Sequence, residues 1–138
     1  MSSLRAAALL GLGGGLRSFA PTVALATRGQ GPLAGPGRFI AFGAGVGELI
    51  ADKQPDMTSR LSPRGLTLRL AFSSIGGREL GGPEGAALAA GAAIATAVAG
   101  ARLREMVHGR QAQLVAAVAE DALSYALVFA GVRSHRSS

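Results

Sequence analysis

Residues 4–27 read LRAAALLGLGGGLRSFAPTVALAT, an apolar run that contains Arg17 and Pro21. Three more apolar runs follow it, so the sequence predicts helices near residues 4–27, 33–52, 85–103 and 114–132. Runs of about 17–24 residues match the thickness of a bilayer core at 1.5 Å per residue. None of them shows the polar face that a surface helix of a soluble protein needs. We therefore predict an all-α integral membrane bundle of about four transmembrane helices, forming one domain over residues 1–138.

The composition agrees with a membrane location. Hydrophobic residues make up 49% of the 138 residues, charged residues only 16%, and the mean hydropathy is +0.35. A soluble domain usually carries about a quarter charged residues. The arginines behind the net charge of +6 lie at the ends of apolar runs, where they would meet lipid headgroups. We expect a lipid bilayer as partner and no nucleic acid, because no stripe of arginines with interleaved aromatic residues is present.

The segment at residues 65–77 contains too few apolar residues to cross a bilayer. Arg69 lies in its middle and Gly76-Gly77 follow, which suits a re-entrant or interfacial helix better than a crossing. The alternative, that the segment crosses and inverts the second half of the chain as in many transporters, stays open. With four crossings and a cytoplasmic N-terminus, Lys and Arg number eight inside against five outside. This bias favours two cytoplasmic termini and leaves dual topology open.

Glycines spaced four apart predict close helix packing. Small residues at this spacing let helix backbones approach each other in a membrane. The predicted packing positions are Gly11, Gly15, Gly43, Gly47 and Gly91. We expect some of these ridges to join copies of the chain in a homo-oligomer, although an Ala/Gly-rich composition also produces such spacings by chance.

Among the charged residues within or beside the apolar runs, six are the candidate functional residues: Arg17, Glu48, Asp52, Lys53, Glu120 and Asp121. A charge at the bilayer centre costs about 2.5–3.5 kcal/mol, so such groups normally pair or line a wet cavity. Arg17 is deep in the first run, and Glu120 and Asp121 lie inside the fourth. We therefore predict that Arg17 pairs with one of these two acids.

No catalytic or metal site is expected. The chain has no Cys, and no Ser has a His at the spacing of a known catalytic motif. His108 has no neighbouring partner with which to form a metal site. We accordingly predict no enzyme activity, no metal and no cofactor.

Three blocks of sequence point to a relative: LRSFAP at 16–21, GELIADKQP at 47–55 and AEDAL at 119–123. Together they resemble an uncharacterised family of small bacterial multi-pass membrane proteins. The resemblance implies a helical protein of the inner (cytoplasmic) membrane and brings no substrate or catalytic residue with it. The chain departs from the family where Gly76-Gly77-Arg78-Glu79 replaces a longer apolar stretch.

Two classes of function fit these residues. The first is an ion or small-solute transporter or channel whose polar path contains Arg17 and the acids. The alternative is a non-transporting membrane scaffold or lipid-binding module in which the charges are structural, and a second alternative is a soluble helical oligomer. A transport path requires charges that face a water-accessible cavity, whereas a scaffold requires charges that are paired and dry.

Overall fold

The structure, a computed structural model, describes residues 2–27, 35–51 and 63–136. Of these residues 93% are helical and none is in a strand, which confirms the all-α class. Five helices follow in order: α1 Ser2–Leu16, α2 Ala20–Ala26, α3 Pro36–Ala51, α4 Pro63–Met106 and α5 Arg110–Arg136. Two helical stretches, Gly65–Met106 and Arg110–His135, are long and apolar enough to cross a membrane. These stretches indicate membrane association, and the predicted count of about four crossings is not confirmed by them.

The long helix α4 is bent back on itself at two glycines. Gly81 (φ −143°, ψ 20°) and Gly82 (φ 65°, ψ −155°) leave the helical conformation. In a continuous helix Gly77 and Gly85 would lie roughly 12 Å apart, but here a Cβ on Gly77 would overlap the carbonyl oxygen of Gly85. We call residues 63–80 the first arm of α4 and residues 83–106 the second arm. The predicted short re-entrant or interfacial helix at 65–77 is instead most of the first arm, because the interruptions in its apolar pattern do not interrupt its backbone.

The predicted single helix at 4–27 is two helices. The helical backbone stops after Leu16 and starts again at Ala20. Pro21 lies in the first turn of α2, where its missing N–H costs nothing, whereas inside a longer helix its ring would clash with the preceding turn. α2 folds back along α1, since a Cβ on Gly14 would lie 2.8 Å from Cγ of Pro21. The first run is therefore a helical hairpin, the α1–α2 hairpin, whose tip is Arg17-Ser18-Phe19.

The α1–α2 hairpin lies inside the bundle formed by α4 and α5. Small residues allow this insertion, because a Cβ on Gly11 or Gly15 would overlap the backbone of the second arm at Ala89 or Ala93. On its other side, a Cβ on Gly13 would lie 2.6 Å from the carbonyl oxygen of Ser124 in α5. α1 is thus the central helix, and its glycines at 11, 13 and 15 lie where a side chain would overlap the backbone of a neighbouring helix.

Contacts between the helices define two ends of the bundle. Ser3 lies beside Gly81, and Ala6 lies beside Gly131, so the start of α1, the turn of α4 and the end of α5 lie together. We call this the terminal end, and the opposite one, at residues 107–109, the α4–α5 end. Arg17 contacts Asp121, which lies roughly 16 Å along α5 from Arg110 and roughly 15 Å from Gly131. The hairpin tip is therefore about halfway between the two ends.

Three of the five predicted packing glycines contact no other helix among the described residues. Gly43, Gly47 and Gly91 are exposed, and a Cβ on any of them would meet nothing within 4 Å. Gly11 and Gly15 pack as predicted. The sequence pattern could not separate the two groups, because every face of an Ala/Gly-rich apolar helix looks alike. It also missed the close contacts that the structure shows at Gly13, Gly14, Gly76, Gly77, Gly85 and Gly131.

Candidate functional site at the hairpin tip

The side chain of Arg17 is the centre of the site. Its residue is 1% exposed, and its Nη2 donates a hydrogen bond to Oδ1 of Asp121. Its backbone N–H donates to the carbonyl oxygen of Gly13 at 3.0 Å, closing the last turn of α1. A cation at this position also complements the partial negative charge at the C-terminus of a helix. The prediction that Arg17 pairs with one of the two acids of the fourth run is confirmed, and the partner is Asp121.

A second group on α5 supports the same turn. The Oγ of Ser124, three residues after Asp121 and on the same helix face, donates to the carbonyl oxygen of Gly13 at 2.8 Å. α5 therefore binds both the charge and the backbone at the end of α1. Gly13 permits this contact, since any side chain there would collide with α5.

Glu120 takes part in a different ion pair. Its Oε2 accepts a hydrogen bond from Nε of Arg104 at 3.1 Å and forms an ion pair with Nη2 of the same residue at 3.1 Å. Neighbouring residues on a helix point about 100° apart, so Asp121 faces the hairpin tip while Glu120 faces the second arm of α4. The side chains of Asp121 and Glu120 are 14% and 12% exposed, and that of Arg104 is 32% exposed. Arg104, the residue of this group nearest the α4–α5 end, is thus the most exposed of the three.

The first arm of α4 brings two further buried polar residues to the hairpin, and sequence reasoning missed both as site residues. Ser73 is fully buried against Gly14, and Arg69, one turn earlier, is 5% exposed. The rings of Phe19 and Phe72 are 4.7 Å apart between centroids, so the tip and this arm are in direct contact. Two polar residues four apart in an otherwise apolar helix, on one helix face, are the signal that could have found them.

The structure describes little of the other three predicted charged residues, Glu48, Asp52 and Lys53. Glu48 lies in α3, three residues after Gly45, which packs against Val23 of α2. Its side chain, and the whole of Asp52 and Lys53, fall outside the described residues. Of the six predicted charged residues, the structure thus brings together Arg17 and Asp121 at the tip, with Glu120 beside them.

The chemistry of the described site is that of compensated charge. The guanidinium of Arg17 faces a carboxylate, and the Glu120 carboxylate faces another guanidinium. Within residues 2–27, 35–51 and 63–136, no three side chains of His, Asp or Glu come together as a metal site requires. The site can hold helices in register, and it can open only if the Arg17–Asp121 pair separates.

Comparison with known proteins finds no matching protein family, curated protein or solved structure. The resemblance to a family of small bacterial membrane proteins therefore stays a prediction, and the function has to be argued from the geometry.

Proposed function

We propose that this chain is a multi-pass protein of the inner (cytoplasmic) membrane, with four crossings and one re-entrant hairpin. The crossings are α3, the two arms of α4, and α5, with lengths of about 24 to 40 Å at 1.5 Å per residue. A bilayer core is about 30 Å thick. The α1–α2 hairpin enters from the terminal end and turns back at mid-depth. Irregular backbone at that depth is tolerated only where protein buries it or a cavity hydrates it.

The distribution of side chains supports a membrane location. The interior holds mainly small residues and a few Leu and Val side chains together with Arg17 and Arg69, while many large apolar side chains, such as Ile40, Met106 and Val115, face outward. In the two helical stretches that are long and apolar enough to cross a membrane, only 22% and 28% of the apolar 18-residue segment is buried. A core helix of a soluble monomer would instead be mostly buried. This inside-out arrangement suits a bilayer as solvent.

Within the membrane, the function that the geometry supports best is that of a non-transporting scaffold. The observation that carries this proposal is the burial of Arg17, which is 1% exposed and paired with Asp121. Charges in a scaffold should be mutually paired and largely buried, and this pair fits, with side chains 1% and 14% exposed. The pair, with the Ser124 hydrogen bond, holds the hairpin between α4 and α5.

Transport is a second candidate, favoured by one observation. The interrupted first run ends at mid-depth, as do the broken helices that form substrate sites in many transporters. From this tip, Asp121, Glu120 and the more exposed Arg104 give a polar route toward the α4–α5 end. In this alternative the Arg17–Asp121 pair is the closed gate.

Flux through proteoliposomes separates the two candidates. We expect purified protein in liposomes to pass K⁺, Cl⁻ and small solutes no faster than protein-free liposomes do. Asp121→Asn, which opens the pair, should not create flux, and Glu120→Gln serves as a matched control on the neighbouring pair. Flux that appears or rises in Asp121→Asn and does not change in Glu120→Gln would replace the scaffold with the transporter.

A further inference from the structure

The fold changes the distribution of basic residues between the two ends of the bundle. The hairpin at 2–27 does not cross, and the first arm of α4 runs from one end to the other. Arg64 and Arg78 therefore lie at opposite ends, and Arg17 and Arg69 lie buried between them. The sequence indicated eight basic residues inside against five outside. This excess depended on placing Arg64, Arg69 and Arg78 on the same side of the membrane.

Counted on the structure, helices α1, α4 and α5 carry equal numbers of basic residues at the two ends. The terminal end has four basic residues, Arg5, Arg78, Arg133 and Arg136. The α4–α5 end also has four, Arg64, Arg102, Arg104 and Arg110. The helices whose direction the contacts define therefore place no excess of basic residues at either end.

The remaining basic residues do not disturb this balance. In the sequence, Arg28 and Arg38 lie before or within the first turn of α3, and Lys53 and Arg60 follow its end. If α3 crosses the bilayer, it adds two basic residues to each end, whichever way it runs. The 14 Lys and Arg residues then divide into six, six and the two buried arginines.

We propose that this chain inserts into its membrane in both orientations. Orientation is set by the excess of Lys and Arg in the short loops and near the ends of the crossing helices, and acids contribute little to it. With no excess, the two orientations have the same electrostatic preference, and both form. This inference rests on the proposed multi-pass membrane location.

The chain suits a direct test because it has no Cys. His108→Cys places a single thiol in the α4–α5 turn, and Glu84→Cys places one beside the turn of α4; both residues are exposed. Intact cells are treated with a membrane-impermeant maleimide, and the remaining thiols are labelled after permeabilisation. We expect each variant to be labelled from outside in about half of its molecules. Labelling of one variant only from outside and of the other only after permeabilisation would overturn the proposal.

Matched charge variants check the cause. Arg5 and Arg78 are exposed at the terminal end, and Arg102 and Arg110 are exposed at the α4–α5 end. Replacing the first two by Gln should turn the α4–α5 end toward the cytoplasm, and Glu84→Cys should then be labelled almost completely from outside. Replacing the second two should produce the reverse, with His108→Cys labelled from outside. Half labelling that neither pair changes would show that the balance of arginines is not the cause, and would overturn the proposal as well.

Membrane fractionation of each variant distinguishes a failure of dual orientation from a failure of the proposed multi-pass membrane location. Protein that remains in membranes after carbonate washing but is labelled from one side only contradicts dual orientation and leaves the multi-pass location intact. Protein that is found in the soluble fraction contradicts both.

Discussion

At the scale of single residues, the pair Arg17–Asp121 carries the structure of the site. An arginine at this depth keeps its positive charge and needs an anion or water. Asp121 supplies the anion from α5, and the Ser124 hydroxyl of the same helix donates to the carbonyl oxygen of Gly13 in this turn. The costly state is a single charge buried without its partner. Neither the intact pair nor a variant with apolar residues at both positions contains such a charge.

A double-mutant cycle tests this pair. We expect Arg17→Met or Asp121→Asn alone to lower the free energy of unfolding in detergent by about 3–5 kcal/mol, because each change alters one partner of a buried pair. The combined variant should lose clearly less than the sum of the single losses.

Glu120→Gln is the matched control for this cycle. Its partner Arg104 is about one-third exposed, so we expect a loss of at most about 1 kcal/mol. Strictly additive losses in the Arg17/Asp121 cycle would mean that the two side chains do not interact in the folded protein.

At the scale of helices, glycines decide which elements can approach. The turn of α4 requires one at Gly82, whose φ of 65° and ψ of −155° is a conformation that other residues rarely adopt. A Cβ there meets no neighbour within 4 Å, so any cost of a side chain comes from the backbone alone.

We expect Gly82→Ala to lower the free energy of unfolding by about 1–3 kcal/mol, through strain in the turn of α4. Gly91→Ala is the matched control, because Gly91 is helical, exposed and open. There the same methyl group should be neutral or slightly stabilising, since Ala has the higher helix propensity. Denaturant titrations in detergent compare the two, and equal effects would contradict the strained turn.

The glycine ridges of α1 and α3 should differ in what they join. Gly15→Leu should disrupt the folded monomer, because a side chain at Gly15 overlaps the second arm of α4. Gly47→Leu should leave the thermal stability of the monomer unchanged, since Gly47 is open, and should affect only contacts between copies of the chain. Thermal denaturation together with crosslinking in detergent measures both. A destabilised monomer in Gly47→Leu would show a contact of α3 within the chain.

At the scale of the whole molecule, the exposed surface of the described helices sets the expected solvent. Large apolar side chains such as Phe39, Ile40 and Val115 are more than half exposed. A soluble monomer with this surface would aggregate, and a bilayer removes the penalty. We expect the protein to resist carbonate extraction and to require detergent for release. Recovery of a defined oligomer in buffer without detergent would support the soluble helical oligomer instead.

Hydropathy and composition by themselves determined the helical class, the apolar surface and the depth at which Arg17, Glu120 and Asp121 lie along their runs. These are local properties, since they depend on run length and on which residues interrupt a run. The sequence also contained the breaks at Pro21 and at the glycines of α4, but their consequences were not readable from it. A proline or glycine marks where a helix can end without saying where the chain goes next.

Only the tertiary structure decided three features. It turned the run at 4–27 into a hairpin, selected Asp121 over Glu120 as the partner of Arg17, and separated the packed glycines from the open ones. Each depends on which face of a helix meets its neighbour. In an apolar, Ala/Gly-rich helix every face has nearly the same hydropathy, so the sequence carries almost no signal for that choice. The helix face that meets a neighbour is instead selected by backbone contact at glycines and by the pairing of one buried charge.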